Sequence, residues 1–289
     1  MHTGRELTDI RDIRRVILVV LDGVRSDAIE RYGLAHLRRL QEQSAASLVA
    51  ATVAPSLTTS AMASLFTGVS PARHGIQSDR LFIPKTASTL SPLPAVLAQD
   101  SYPSSAFLGQ VPSVFRGIAA RVGRHLGFTN VHLGGKSADE ILARAATTIR
   151  TQRRGLIFLH WPDADRAGHS DGWISNAYGD ACRRLDAALG TLTTLADVPS
   201  DPHTLLIALA DHGGGGTAPR EHESDHPLDT TIPLILAGGG SLPTDLKSAS
   251  LLDVPPTILC ALGVAIPSSY EGRVLREAFA LDSEQVAVA

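Results

Sequence analysis

The sequence predicts an α/β protein, a mostly parallel central sheet with helices on both faces in the manner of a three-layer sandwich, and two observations carry that prediction. Four short runs rich in Val, Ile and Leu have the unbroken apolarity of strands buried on both faces: VILVVL from Val16, LIFL from Leu156, LLIALA from Leu205 and IPLILA from Ile232. Between them lie stretches of helical length with one apolar stripe. Asp27 to Gln43 carries Ile29, Leu34, Leu37 and Leu40; Ala138 to Ile149 carries Leu142 and Ile149; Tyr178 to Leu195 carries Leu185, Leu189 and Leu192. Strand, helix and strand in alternation make the strands parallel and lay the helices against the sheet.

The 289 residues are 44% apolar and 19% charged, an ordinary globular composition, and no linker or repeat divides them, so one domain over 1–289 is expected. Lys and Arg number 26 against 29 Asp and Glu, a net charge of −3 with no basic block, which excludes a nucleic-acid polymer as the natural partner. Aromatic residues, at 4%, are too few for stacking platforms on single strands. Cys182 and Cys260 cannot build a disulfide framework or a four-thiolate zinc site and are expected as two reduced, buried thiols. The residues before Val16 are polar and charged, the apolar run that follows is far short of the ~20 residues that span a bilayer, and no signal-peptide core is present. A cytoplasmic protein off the membrane is the expectation. Residues 68–124, with Pro71, Pro84, Pro92, Pro94, Pro103 and Pro112, are expected to be an irregular surface segment.

Chemistry gathers where the strands end. VILVVL runs into Asp22 and Gly23, LIFL into His160 and the segment WPDADRAGH, and LLIALA into Asp211, His212 and the glycines 213–216. Ligands of open parallel sheets bind beyond the carboxyl ends of the strands, so side chains from three such ends can converge. Asp165 and His169, four apart, face one way on a helical turn; Asp211 and His212 are adjacent, and the glycines allow the chain to turn there. Either His222 or His226 in the following polar loop can complete the set. Oxygen and imidazole donors without thiolate suit zinc or manganese, and there are enough for two divalent ions. One Asp at a strand end is ordinarily a cap, and single His residues such as His2, His36, His125, His132 and His203 are ordinarily solvated or satisfied. Three strand ends with two Asp/His pairs and a further His are not explained that way. The Ser/Thr cluster PSLTTS from Pro55 precedes a run of helical character, so Thr58 or a neighbour lies at a helix N-terminus, where an anion is favoured. The segment 134–137, GGKS, lacks the first glycine of a phosphate loop, Asn130 standing in its place, and no G-x-S-x-G elbow occurs.

Taken together, VILVVLDGVRSD, SLTTSAMASLFTGVSPARHGI, DRAGHSDGWISNAY, ALADHGG, HESDHPLDTTIPLILAGGG and LLDVPPTILCALG resemble the alkaline phosphatase superfamily, most closely its type I phosphodiesterase and nucleotide pyrophosphatase branch. The resemblance implies a di-zinc hydrolase of phosphoric esters. The family's nucleophile stands nine residues before the Thr of a Thr-Gly pair, here Thr67 and Gly68, which makes it Thr58. One ion would be held by Asp165, His169 and His222, and the other by Asp22, Asp211, His212 and the Thr58 oxygen. His222 is preferred to His226 because the family's last His precedes the Pro of the next strand, here Pro233, by eleven residues. The implied reaction proceeds through a covalent phospho-threonine on a small-molecule phosphate ester.

Two departures bear on the substrate. Sulfatases of the superfamily carry a modified Cys or Ser in a Cys-x-Pro-Ser-Arg signature, which this chain lacks, and nucleotide pyrophosphatases carry an Asn where Ala61 stands. A phosphomonoesterase or phosphonate hydrolase on the same ions is the nearest alternative, and a non-catalytic metal-binding protein the more distant one. Asp27 and Glu221 are close enough in sequence to orient the imidazoles, and Arg25, His74, Arg116 and Arg166 are basic residues of the kind that either meet a substrate charge or are simply solvated.

Overall fold

The computed structural model describes residues 12–78, 89–109 and 113–279. Among them an eight-stranded sheet is built from β1 (Arg15–Leu21), β2 (Ala45–Ala51), β3 (Ser104–Leu108), β4 (Asn130–Leu133), β5 (Gly155–Trp161), β6 (Thr204–Leu209), β7 (Thr231–Gly238) and β8 (Thr244–Asp245), in the order β4-β3-β5-β1-β6-β7-β2-β8. Strands β4, β3, β5, β1 and β6 are parallel, β2 and β8 pair parallel at the far edge, and β7 runs antiparallel to both β6 and β2. All seven residues of β1 are buried, as a strand needs cover on both faces to be.

The four apolar runs are β1, β5, β6 and β7. The other strands lack that signal for local reasons. Strand β2 is AASLVAA, poor in branched residues and broken by a register shift between Ser47 and Ala50. Strand β4 is an edge strand of alternating exposure. Strand β3 corrects the expectation of an irregular 68–124 segment: SSAFL sits inside the sheet between β4 and β5, its Ser105 hydroxyl bonded to the Gln152 side chain at 2.9 Å. That segment also contains the helices Leu93–Gln99 and Ser113–His125.

Helix Ala138–Thr151 begins at Ser137, whose hydroxyl caps Glu140 N, and buries Ile141, Leu142, Ala145 and Ile149 at helical spacing. Helix Asn176–Ala196 is likewise capped by Ser175. The helix expected over Asp27 to Gln43 is two, Ala28–Arg31 and Ala35–Gln43, because Gly33 between them takes a left-handed φ of 64°. The second has no cap of its own. Asp186, from the helix Asn176–Ala196, accepts His36 N at 3.1 Å and Leu37 N at 2.8 Å instead.

The amino end of β1 is fastened by Arg15, 2% exposed. Its guanidinium reaches the carbonyls of Ile149 at 2.5 Å and Ala196 at 3.4 Å, the last turns of the two long helices, and the Thr204 hydroxyl at 2.7 Å. Cations at helix carboxyl ends meet the negative pole of the dipole. Cys182 is buried as expected, but Cys260 is only half-buried; both are free thiols. No helix among the described residues is long and apolar enough to cross a membrane.

Candidate metal centre

The carboxyl ends of β1 and β5 are tied to one another before any side chain is considered. Asp22 N donates to Trp161 O at 3.1 Å, and Asp165 N donates to Asp22 O at 3.0 Å, which sets the helix Asp163–Asp171 directly against the end of β1. Gly23 makes that approach possible. Its φ is 71°, and a Cβ there would lie 2.8 Å from the Asp165 Cα.

The glycines after His212 serve a different purpose from the torsional freedom expected of them. Of the four, only Gly215 has a left-handed φ, whereas a Cβ on Gly214 would stand 2.0 Å from the Trp173 ring. Trp173, buried, donates its indole N–H to Gly23 O at 3.0 Å and lies against His169 and His222, with ring centroids 5.2 and 5.7 Å away. The loop is small-residued so that this indole can stand behind the imidazoles.

Asp22, Thr58, Asp165, His169, Asp211, His212 and His222 all arrive in one place. Thr58 opens the helix Thr58–Thr67, and its Oγ1 is 3.0 Å from His212 Nε2. His212 Nε2 is also 3.4 Å from Asp22 Oδ1 and 3.5 Å from Asp211 Oδ2. Asp165 and His169 share a helix face as their spacing requires, with Oδ1 and Nε2 3.3 Å apart, and His222 Nε2 is 3.8 Å from the same oxygen. His212 and His222 stack at 3.7 Å, with 5° between their ring planes.

Each imidazole is turned by a backbone carbonyl. His212 Nδ1 faces Gly213 O at 2.8 Å, His222 Nδ1 faces Ser56 O at 2.6 Å, and His169 Nδ1 faces Arg220 O at 2.8 Å. A carbonyl only accepts, so Nδ1 carries the proton in all three and the Nε2 lone pairs point inward. Asp22 Oδ1, Asp165 Oδ1 and Asp211 Oδ2 are buried with no hydrogen-bond partner in the fold. Three orphaned carboxylate oxygens against three directed lone pairs fit divalent cations. Two triads of donor atoms lie within 4.8 Å of one another: Asp22, Asp211 and His212, and Asp165, His212 and His222. His212 is common to both, so the two groups adjoin. His169, 43% exposed, stands at the open side and Asp211 at the closed one.

The electrostatics express the same want of positive charge. Burial, then the neighbouring Asp211 and Asp165, push the Asp22 carboxyl up to about 7. Burial works against a charged His212, but Asp211, Asp22 and Asp165 overcome it and lift the imidazole to about 9. Burial also opposes ionisation of Asp211, yet His212 and His160 hold it below the usual carboxylate range. The cluster holds protons where cations would otherwise serve.

Several expectations are corrected here. Asp27 does not orient an imidazole: it is exposed and takes the Arg25 guanidinium at 2.6 and 2.8 Å, while Arg25 itself is buried and reaches Gly214 O. Glu221 is exposed, and the carbonyls named above do the orienting. His74 is buried, with Nε2 3.0 Å from Ser64 Oγ, and meets no substrate charge. Arg166 turns back to the Lys136 and Pro162 carbonyls; the Arg116 side chain lies outside the described residues. His226 is the cap of the short helix Pro227–Thr230, its Nδ1 accepting Leu228 N at 3.1 Å. Asp163 is likewise occupied, accepting Ala138 N at 2.9 Å, and Ala61 is fully buried.

Sequence reasoning missed three contributors. Trp173 and Asp229, whose carboxylate gathers Gly216 N and Ser224 N, carry no local signal. His160 does: it is a polar residue at the end of an apolar strand, and its Nε2 is 3.2 Å from Asp22 Oδ2.

A family model of type I phosphodiesterase/nucleotide pyrophosphatase matches residues 16–96, and a model of the metalloenzyme superfamily matches residues 92–266. Among solved structures, murine ectonucleotide pyrophosphatase/phosphodiesterase 5 superimposes with a TM-score of 0.69 at 14% identity, over 89% of this chain and 97% of that one. A phosphonate monoester hydrolase from Silicibacter pomeroyi gives 0.69 at 15%, over 95% and 78%. A 2-O GAG sulfatase gives 0.66 at 14%, over 91% and 73%. These likenesses are of fold. No curated protein matches by sequence.

Proposed function

The chain belongs to the metalloenzyme superfamily and, with it, to the alkaline phosphatase superfamily, and from that premise we propose that it hydrolyses phosphoric esters, diesters first, with two divalent ions and a covalent phospho-threonine at Thr58. One observation carries the reading: three unpartnered carboxylate oxygens and three inward Nε2 atoms converge on one another, and one of those nitrogens, on His212, lies 3.0 Å from the oxygen of Thr58. The donor set fits zinc, with manganese as the alternative. Asp22, Asp211, His212 and the Thr58 oxygen would hold one ion, and Asp165, His169 and His222 the other; His212 stands at the boundary, being common to both donor triads, and His169 joins the second through its 3.3 Å approach to Asp165. Bound there, divalent ions supply the positive charge that favours a deprotonated threonine oxygen and offsets charge on the transferred group.

The chain's own part is positional. His212 sets Thr58 Oγ1 at the helix start, and the amino end of the helix Thr58–Thr67 offers the positive pole of its dipole to anionic oxygens. The Thr58 oxygen forms a bond to phosphorus as the ester P–O bond opposite breaks, and the alcohol leaves with the electron pair and gains a proton from solvent. Water then attacks phosphorus, the bond to Thr58 breaks, and phosphate or its monoester departs while the threonine oxygen regains a proton. The open side at His169 is the entry for substrate and water.

Thr58→Ala tests this. The variant should bind divalent ions like the parent and lose turnover of bis-aryl phosphates by about three orders of magnitude or more. Rapid-quench intact mass of the parent should show an adduct that maps to Thr58. Parental turnover in the variant overturns the covalent route. A panel of mono-aryl phosphates, aryl phosphonates and aryl sulfates assigns the ester class, and faster turnover of any of them than of diesters overturns the diester preference.

A further inference from the structure

We propose that His160 is a positioning residue of the cation centre, holding the Asp22 carboxylate so that one oxygen faces the imidazole and the other faces the cation. The inference rests on the cation reading above and adds a residue that belongs to neither donor triad. Strand β5 lies beside β1 with Val20 opposite His160 and Leu21 opposite Trp161, so His160 stands one strand over from the point where Asp22 leaves the sheet. Its Nε2 is 3.2 Å from Asp22 Oδ2, and its side chain is 13% exposed. Asp22 Oδ1, by contrast, is 3.4 Å from His212 Nε2 and is one of the three orphaned oxygens.

The two oxygens of Asp22 therefore have separate neighbours. The terminal torsion of an aspartate is broad, and a carboxylate without a fixed donor swings between its two orientations. An N–H on Oδ2 selects the one that presents Oδ1 to the cation. The placement of His160 supports this assignment, since β5 is otherwise GLIFL and Trp161, buried nearly throughout. A polar side chain in such a strand costs stability unless it has a partner; His160 Nε2 is buried and makes no aligned hydrogen bond within the fold, and Asp22 Oδ2, 3.2 Å away, is the charge beside it. His160 also brings a ring nitrogen to a place where Asp22, Asp165 and Asp211 converge, and it is a member of neither donor triad.

The first test needs no variant. Long-range proton–nitrogen NMR of the parent, with and without zinc, reads the tautomer of His160: a proton on Nε2 is expected, and a lone pair there overturns the proposal. The second test is zinc titration against a chromophoric chelator in His160→Leu and His160→Gln. His160→Leu should hold one ion at parental affinity and bind the other about 10–100-fold more weakly, while His160→Gln, which keeps an N–H, stays within about threefold of the parent. Two ions at parental affinity in His160→Leu, or equal losses in both variants, overturn it. If His160→Leu fails to fold, the tautomer and His160→Gln decide. A parent that binds no divalent ion removes the cation reading, whereas the tautomer still reports on the contact with Asp22, so the two failures are told apart.

Discussion

Strand β1 begins beside a buried cation and ends beside buried anions, and the fold treats the two ends in opposite ways. At the amino end Arg15 spends its donors on the Thr204 hydroxyl and on the closing carbonyls of two helices, with Asp201 3.6 Å away as counter-charge. At the carboxyl end Asp22, Asp165 and Asp211 each keep an oxygen that nothing in the chain satisfies. A buried charge retained for structure is given its full set of partners, because a missing one costs stability outright. A buried charge left short, in the same sheet and only seven residues further on, is preorganised for something from outside the chain.

The comparison breaks most visibly at Arg15. Replacing it by Met should destabilise the protein by about 3 kcal/mol in denaturant unfolding, since it strands several buried acceptors at once. A loss below about 1 kcal/mol would mean that the amino end is not the saturated one.

Chelation and repletion act on the other end. Removing divalent ions should lower the thermal midpoint, and zinc at about a hundred times its dissociation constant should restore about 2.7 kcal/mol. The stabilisation should vanish in Asp211→Asn; if it survives, the cation binds elsewhere.

Acidity separates the ends further. Asp22 and His212 are both raised in the fold, so the folded state binds protons that the unfolded chain has released. The stability they contribute is complete below their ordinary values of 3.8 and 6.5 and is lost as pH climbs through about 7 and about 9. At the amino end burial opposes ionisation of Asp201, but the Thr204 hydroxyl, the His203 amide and Arg15 hold it below the usual range, so its contribution is lost only in acid. The metal-free protein should therefore lose thermal stability from pH 6.5 to 9, while the gain on adding zinc grows over the same interval as ligand protons are released. A flat metal-free profile contradicts the crowding of charge at the site.

The smallest effect is the most telling in sign. Asp22→Asn should stabilise the metal-free protein by about 1 kcal/mol, because it removes one of three crowded carboxylates, and should weaken zinc binding at the same time. Destabilisation of the metal-free form would show that Asp22 serves the fold rather than the site.

Much of the centre was legible in the chain. Asp22, Asp211 and His212 are conspicuous because they follow directly on apolar runs, and a strand end is a place that sequence can locate. Asp165 and His169 are legible because helical spacing alone puts them on one face. Strands β2, β3 and β4 were not legible, being alanine-rich, serine-rich or polar; their pairing is imposed by neighbours rather than by their own side chains. The choice of His222 over His226 followed from family spacing, and the structure supplies its physical ground: His226 is spent on capping a helix, while His222 is turned inward by Ser56, 166 positions away in the chain.

Side-chain chemistry and local periodicity are properties of neighbours in sequence, and they sufficed for the sheet's central strands, for the kinds of donor and for the ends on which those donors stand. Which nitrogen of His169 and of His222 carries its proton, which carboxylate oxygens go without a partner, and that an indole and His160 stand behind the donors are set by contacts between segments far apart along the chain. Those contacts exist only once the sheet has brought its strand ends together, and the charges at the centre take their unusual proton affinities from that convergence.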